Sequence, residues 1–239
     1  MRTILYVLLL AIFLNACGSI PQATKNIAIN TSNIGAIGIN KTSFFKAEFT
    51  KIGESNLSGS LELSLKKIPF NKSAFNSYTS YKKQKGEAVT LQYADSVATK
   101  PNYYILSLTD LIGLKSELNG SNNKAVLEYL ASDEKYGVLT QISVLAHPSF
   151  EDWMDNTTGL YLAEHHNQLS LEFKNSKQSQ FLAFEQLEIF DHEFSTFCWK
   201  ENVYGKPEIA VIAVNGNSCP KNTEKKAVKL NDEKSYLKL

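Results

Sequence analysis

Alternation of apolar and polar residues along much of the chain predicts β-strands. The clearest case is the segment 57–65, where odd-numbered positions are leucine or glycine and even-numbered positions are serine or glutamate. Such a strand buries one face and exposes the other, which is typical of an antiparallel sheet. Weaker alternation occurs in five further segments: 45–49, 89–93, 104–108, 138–144 and 169–173. Two buried strands are predicted at 194–199 and 209–214, joined by a turn at 204–207.

Two segments have helical spacing instead. In the first, Asp110 is a suitable N-cap, Asn119-Gly120 is a suitable end, and leucines recur at 111, 114 and 118. The second begins near 121–123 and places on one stripe Ala125, Val126, Tyr129 and Leu130. The stretch from Phe181 to Phe190 fits a helix and a strand equally well, and the pattern leaves both open.

The order of these segments predicts an α+β fold. We expect a single domain over about 36–220, with a mainly antiparallel sheet of six to nine strands and a few short helices. The polar segment 17–35 is predicted to be a tether that reaches at most about 60 Å. The Lys-rich segment 221–239 is predicted to be a solvated tail.

The first 16 residues have the features of a secretory signal. Arg2 precedes an unbroken apolar run of 11 residues, 4–14, which is shorter than the ~18 residues that a membrane-spanning helix needs. The run ends in Leu14-Asn15-Ala16-Cys17, which resembles the lipobox of bacterial lipoproteins. The resemblance implies cleavage before Cys17, a diacylglyceryl thioether on its sulfur and a third acyl chain on its new amino group.

The same resemblance implies a location in the cell envelope. Burial of acyl chains contributes about 0.8 kcal/mol per CH2, so several long chains hold a protein permanently in a membrane. In well-studied members of the family an aspartate directly after the lipidated cysteine favours retention in the inner membrane. This chain has Gly18 there, so we expect the outer membrane.

Charge and cysteine content narrow the expected partners. Loss of Arg2 with the signal leaves 24 lysines against 24 acidic residues and no arginine, so there is no basic field to attract nucleic acid. Cys198 and Cys219 remain as an even pair in an oxidising compartment. We predict a disulfide between them, with two buried free thiols as the alternative.

Histidines and carboxylates are the candidate residues for a catalytic or metal-binding site. The four histidines are His147, His165, His166 and His192. Neither the adjacent pair 165–166 nor the segment 191–193 has a recognised metal-ligand spacing. There is no Gly-x-Ser-x-Gly elbow or glycine-rich phosphate loop. We therefore assign no catalytic, metal or cofactor-binding residue and expect no cofactor.

Two aromatic groups are candidates for a binding surface. The first combines Phe70, Phe75, Tyr78 and Tyr81 in a region that has the composition of a loop, and the second combines Phe150 and Trp153. Exposed aromatic rings beside polar groups stack on sugars or hold peptides. The alternative is that both groups pack onto the sheet.

The function expected from these features is that of a non-enzymatic lipoprotein that binds a partner protein or an envelope polymer. The competing hypothesis is a lipid-anchored hydrolase. Its site would combine six neighbouring acidic and imidazole side chains: Glu164, His165, His166, Asp191, His192 and Glu193.

Overall fold

Ten strands form one antiparallel sheet in the computed structural model, which describes residues 32–43, 46–97, 99–145, 148–176 and 178–232. Cys17 and the lipobox lie outside the described residues, and so does His147. The strands are β1 (Ala36–Ser43), β2 (Lys46–Glu54), β3 (Leu61–Pro69), β4 (Asn102–Leu108), β5 (Tyr136–Leu145), β6 (Gly159–His165), β7 (Gln168–Lys174), β8 (Ser179–Ala183), β9 (Glu188–Glu201) and β10 (Pro207–Ala213).

The sheet runs in the order β10-β9-β5-β4-β3-β6-β7-β8, and β1 branches from β5 and carries β2. The branch is possible because β5 is long. Its first residues pair with β1 on one side, its later residues pair with β4 on that same side, and β9 follows its other side. The predicted α+β class and antiparallel sheet are confirmed, with one strand more than the upper limit expected.

Within the described residues, five α-helices accompany the sheet. They are α1 (Lys72–Lys85), α2 (Leu111–Asn119), α3 (Lys124–Ala131), α4 (Pro148–Asp155) and α5 (Lys229–Asp232). The predicted start of α2 is confirmed, because the Asp110 carboxylate accepts the Gly113 N–H at 2.7 Å. Asn119 at its end bonds both backbone groups of Ile209 on β10, at 2.9 Å each.

Helix α1 replaces the loop that the sequence predicted around the first aromatic group. Asn71 caps its start by accepting the Ala74 N–H, and Gly86 ends it in the left-handed region at φ 71°. Phe70 and Tyr78 are 1% and 2% exposed and pack against Phe190 of β9. Phe75 and Tyr81 are half-buried and pack against the same cluster, so this aromatic group packs onto the sheet.

The second aromatic group also packs onto the sheet. Phe150 on α4 is 2% exposed and meets Tyr104 and Phe173 edge to face, with centroids 5.4 and 5.6 Å away. Trp153 meets Phe173 in the same way at 5.5 Å. These rings belong to the main core, so the packing alternative holds for both groups.

Two local predictions are corrected and one ambiguity is resolved. The segment 89–93 is irregular and not a strand, and 57–60 precedes β3 instead of starting it. The stretch 181–190 contains the end of β8, a 3-10 turn at 184–186 and the start of β9. Three elements thus share a stretch whose apolar spacing fits both a helix and a strand.

The core extends beyond the predicted domain limits at both ends. Ile34 is fully buried before β1. After Pro220, Glu224 exchanges two backbone hydrogen bonds with Trp199, at 2.7 and 2.8 Å, and Ala227 is 4% exposed. The reason is that β9 continues past the start of β5, and its unpaired backbone groups need partners.

The predicted disulfide joins Cys198 of β9 to Cys219, with Cα atoms 5.5 Å apart. It ties the segment after β10 to the strand on which Glu224 pairs. Closing a loop of 21 residues is worth about 3 kcal/mol in the chain-entropy model.

Two glycines face each other where β1 meets β5. Gly38 pairs with Gly137, and the rings of Phe49 and Phe194 lie over the two positions. A Cβ on Gly137 would overlap the carbonyl oxygen of Ser195 and the Phe194 ring. The two strands and the aromatic pair above them therefore fit only because both positions lack a side chain.

We expect Gly137→Ala to lower the free energy of unfolding by about 1–3 kcal/mol, because backbone of β9 must move to admit the methyl group. Urea denaturation measures the change. Gly53→Ala is the matched control, since nothing lies within 4 Å of its Cβ position, and it should change stability by less than about 1 kcal/mol. Equal stability of the two variants would contradict this account of the glycine pair.

Candidate functional site

The six residues of the hydrolase hypothesis lie in two separate parts of the sheet. Glu164 and His165 end β6 and His166 occupies the following turn, whereas 191–193 belongs to β9. In the strand order β3, β4 and β5 lie between β6 and β9. Within the described ranges, no three His, Cys, Asp or Glu side chains are grouped so as to hold a metal ion.

The first part is a tight hairpin. His166 and Asn167 both adopt positive φ, 53° and 61°, and connect β6 directly to β7. The His165 ring stacks on Phe181 with centroids 4.1 Å apart, and Glu164 accepts the Leu57 N–H at 3.2 Å. These contacts fix the hairpin and the loop before β3.

The second part, the segment 191–193 on β9, is more enclosed than the hairpin. His192 lies 5.8 Å from the Phe49 ring, measured between centroids. Burial lowers the pKa of His192, and the nearby Asp191 carboxylate opposes this shift only in part. The imidazole therefore favours its neutral form next to an aromatic ring.

A buried carboxylate that the sequence did not single out lies on β7. Glu172 is 6% exposed. It accepts hydrogen bonds from the hydroxyls of Ser60 at 2.7 Å and Ser179 at 2.8 Å, and Lys174 Nζ lies 3.2 Å from it. Burial opposes its ionisation, but these donors outweigh burial and lower the pKa of Glu172. The carboxylate oxygens of Glu172 therefore accept hydrogen bonds from other residues of the same fold.

A shallow cleft of about 280 Å³ lies between the end of α1 and the turn at 184–186. Lys82 within it forms ion pairs with Glu188 and with Glu87, the latter at 2.8 Å. Hydrogen bonds to these carboxylates, Glu188 first, hold the pKa of Lys82 well above its usual value. The charge of Lys82 is thus neutralised inside the protein.

The hairpin between β9 and β10 presents a different surface. Its tip, defined here as Val203 and Tyr204, is 92% and 84% exposed, more than any other large hydrophobic side chain in the described part of the chain. Turns ordinarily carry glycine, proline and small polar residues. Two adjacent side chains with large apolar surface in this position make the tip a candidate contact surface.

The tip is held in one conformation by Asn202. Its side-chain oxygen accepts the N–H groups of Tyr204 and Lys206, at 2.9 and 3.0 Å. Its backbone bonds Lys206 and Gly205, both at 2.9 Å, and Gly205 adopts φ 70°. Such an Asx turn orders the backbone without help from the tip side chains.

No protein-family model, curated protein or solved structure matches the chain. Within the ranges that the structure describes, no helix is long and apolar enough to cross a membrane. The hairpin tip is therefore a candidate site on its own geometry, without support from a relative. The sequence predicted a turn at 204–207, but the exposure of Val203 and Tyr204 is visible only in the structure.

The buried Glu172 predicts a pH dependence of stability. Its pKa is lower in the folded chain than the ordinary value of 4.5, so its contribution is complete above about pH 4.5 and is lost as the pH falls through the folded value. The free energy of unfolding should therefore fall more steeply from about pH 5 to about pH 3 in the natural protein than in Glu172→Gln. Urea titrations at each pH measure the slopes.

The exposed Glu128 provides the control. Glu128→Gln should retain the slope of the natural protein. Parallel curves for the natural protein and Glu172→Gln would contradict the role assigned to this carboxylate.

Proposed function

We propose that this chain is a lipid-anchored protein of the bacterial cell envelope that acts as a binding or structural module and not as an enzyme. Acyl chains on Cys17 attach it to the membrane. The residue after the cysteine, Gly18, favours the outer membrane. The resemblance of Leu14-Asn15-Ala16-Cys17 to a lipobox supports the anchor.

The observation that carries the binding role is the exposure of the hairpin tip. Burial of a valine or a large aromatic side chain contributes about 1.5–3 kcal/mol relative to leaving it in water. The side chains of Val203 and Tyr204 are exposed, so neither contributes this free energy of burial to the fold. A surface that meets an apolar partner regains it when the partner binds.

The sheet supplies the rigid support that such a contact needs. Strand β9 leads from the core to the tip, and the buried Trp199 and the disulfide at Cys198 fix its end. The Asn202 turn then fixes the tip backbone. A preordered contact loses little conformational entropy when it binds.

The anchor is tested by metabolic labelling with radioactive palmitate. The natural protein should incorporate label, and Cys17→Ser should incorporate none, because the thioether requires the cysteine sulfur. Cys198→Ser is the matched control, since it removes a different cysteine and should keep the label. Incorporation into Cys17→Ser, or a mature amino terminus at another residue in mass spectrometry, would refute the anchor.

The tip is tested by photo-cross-linking in intact cells. A benzophenone amino acid in place of Val203 should cross-link to a component of the cell envelope, because the side chain lies at the proposed contact. The same substitution at Val228, which is 57% exposed, should give little product. If the two positions give equal yields, the hairpin is not the binding surface.

A further inference from the structure

The hairpin tip lies far along the sheet from the point where the folded part of the chain begins. Gly35 donates its N–H to Leu139, which pairs with Phe194 on β9. Val203 lies nine positions further along β9 and its turn, about 30 Å at the rise of a strand. The tip therefore projects well away from the point where the chain joins the sheet.

The chain before this point is long enough to bring both ends of the domain to one membrane. Fifteen peptide units separate Cys17 from Ser32, and they span at most about 50 Å. This reach exceeds the ~30 Å that the nine positions from Phe194 to Val203 can span at most. A bilayer that holds acyl chains on Cys17 is thus within reach of Val203 and Tyr204.

The chemistry of the tip fits lipid better than it fits a protein surface. A stable protein interface covers about 800 Å² on each partner, and two adjacent side chains supply only a fraction of that area. A bilayer needs no matching shape, because each apolar side chain enters it separately. Valine has no polar group to desolvate, and tyrosine keeps its hydroxyl at the headgroup level while its ring is buried.

From these observations we infer that the Val203–Tyr204 tip inserts into the interface of the bilayer and forms a second, reversible membrane contact. This inference rests on the proposed lipid anchor, which keeps the tip at a high local concentration near lipid. Because Asn202 already orders the turn, insertion orders no further backbone. The two contacts together fix one orientation of the domain on the membrane.

The test places a fluorescent reporter at the tip of the full-length, acylated protein. The variant Tyr204→Trp is reconstituted into vesicles of phosphatidylethanolamine with a minor share of phosphatidylglycerol, part of it brominated on the acyl chains. Val228→Trp is the matched control. It replaces an exposed valine that follows Glu224 in the direction away from the hairpin. The buried Trp199 and the half-buried Trp153 are present in both proteins.

Bromine quenching at position 204 should exceed that at position 228 by at least about twofold, because bromine quenches on contact and a side chain buried about 5–10 Å into the interface lies near the acyl chains. Adding Val203→Asp to the reporter protein should reduce the quenching to the level of the control. Thermal unfolding of each variant verifies that it is folded.

The outcomes separate this inference from the proposed function. Flotation with the vesicles but equal quenching at the two positions overturns the tip insertion and leaves the anchor intact. Failure to float overturns both the anchor and the insertion. If position 204 stays accessible to acrylamide in lipid and is shielded only after envelope proteins are added, its partner is a protein and the lipid contact is wrong.

Discussion

The pairing of β5 with three other strands is the constraint on which the rest of the structure depends. Seven of the ten residues of β5 are buried, and its backbone connects β9 on one side with β1 and β4 on the other. A bulge interrupts the pairing of β5 with β9 between Leu139 and Gln141, and Val138 before it and Ile142 after it both belong to the main core. One buried strand thereby supports two groups of strands, and the facing glycines Gly38 and Gly137 allow the groups to meet.

Polar side chains complete the fold where the sheet leaves backbone groups without partners. Asn123 is fully buried and bonds both backbone groups of Asn56, at 2.9 and 2.7 Å, so that it fixes the loop before β3. Asn33 bonds Glu54 at 2.9 Å and receives a hydrogen bond from Lys51, which ties the start of the domain to β2. Each of these side-chain amides forms hydrogen bonds with polar groups whose burial without a partner would destabilise the fold.

The sequence predicted most of the sheet because alternation records burial directly. Strands β4, β5, β7 and β10 lie close to the segments expected, and α2 begins at its predicted cap. Helix α1 was missed because it buries only Ala74 and Tyr78 and fills its surface with polar residues. The segment after Pro220 was misjudged because few of its residues are apolar, while its attachment comes from the backbone of Glu224 and the sulfur of Cys219. The exposure of the hairpin tip could not be predicted, since the residues Val203-Tyr204 do not indicate whether another element covers them.

Asn119 has a further consequence for how copies of the protein behave towards each other. Strand β10 ends the sheet, and an end strand offers its free backbone groups to any extended segment nearby. The Asn119 amide occupies both groups of Ile209, so a foreign strand that approaches β10 finds a gap in the middle of the ladder. The Asn119 side chain thus hinders edge-to-edge pairing between copies of the protein. This effect matters more when the molecules are crowded.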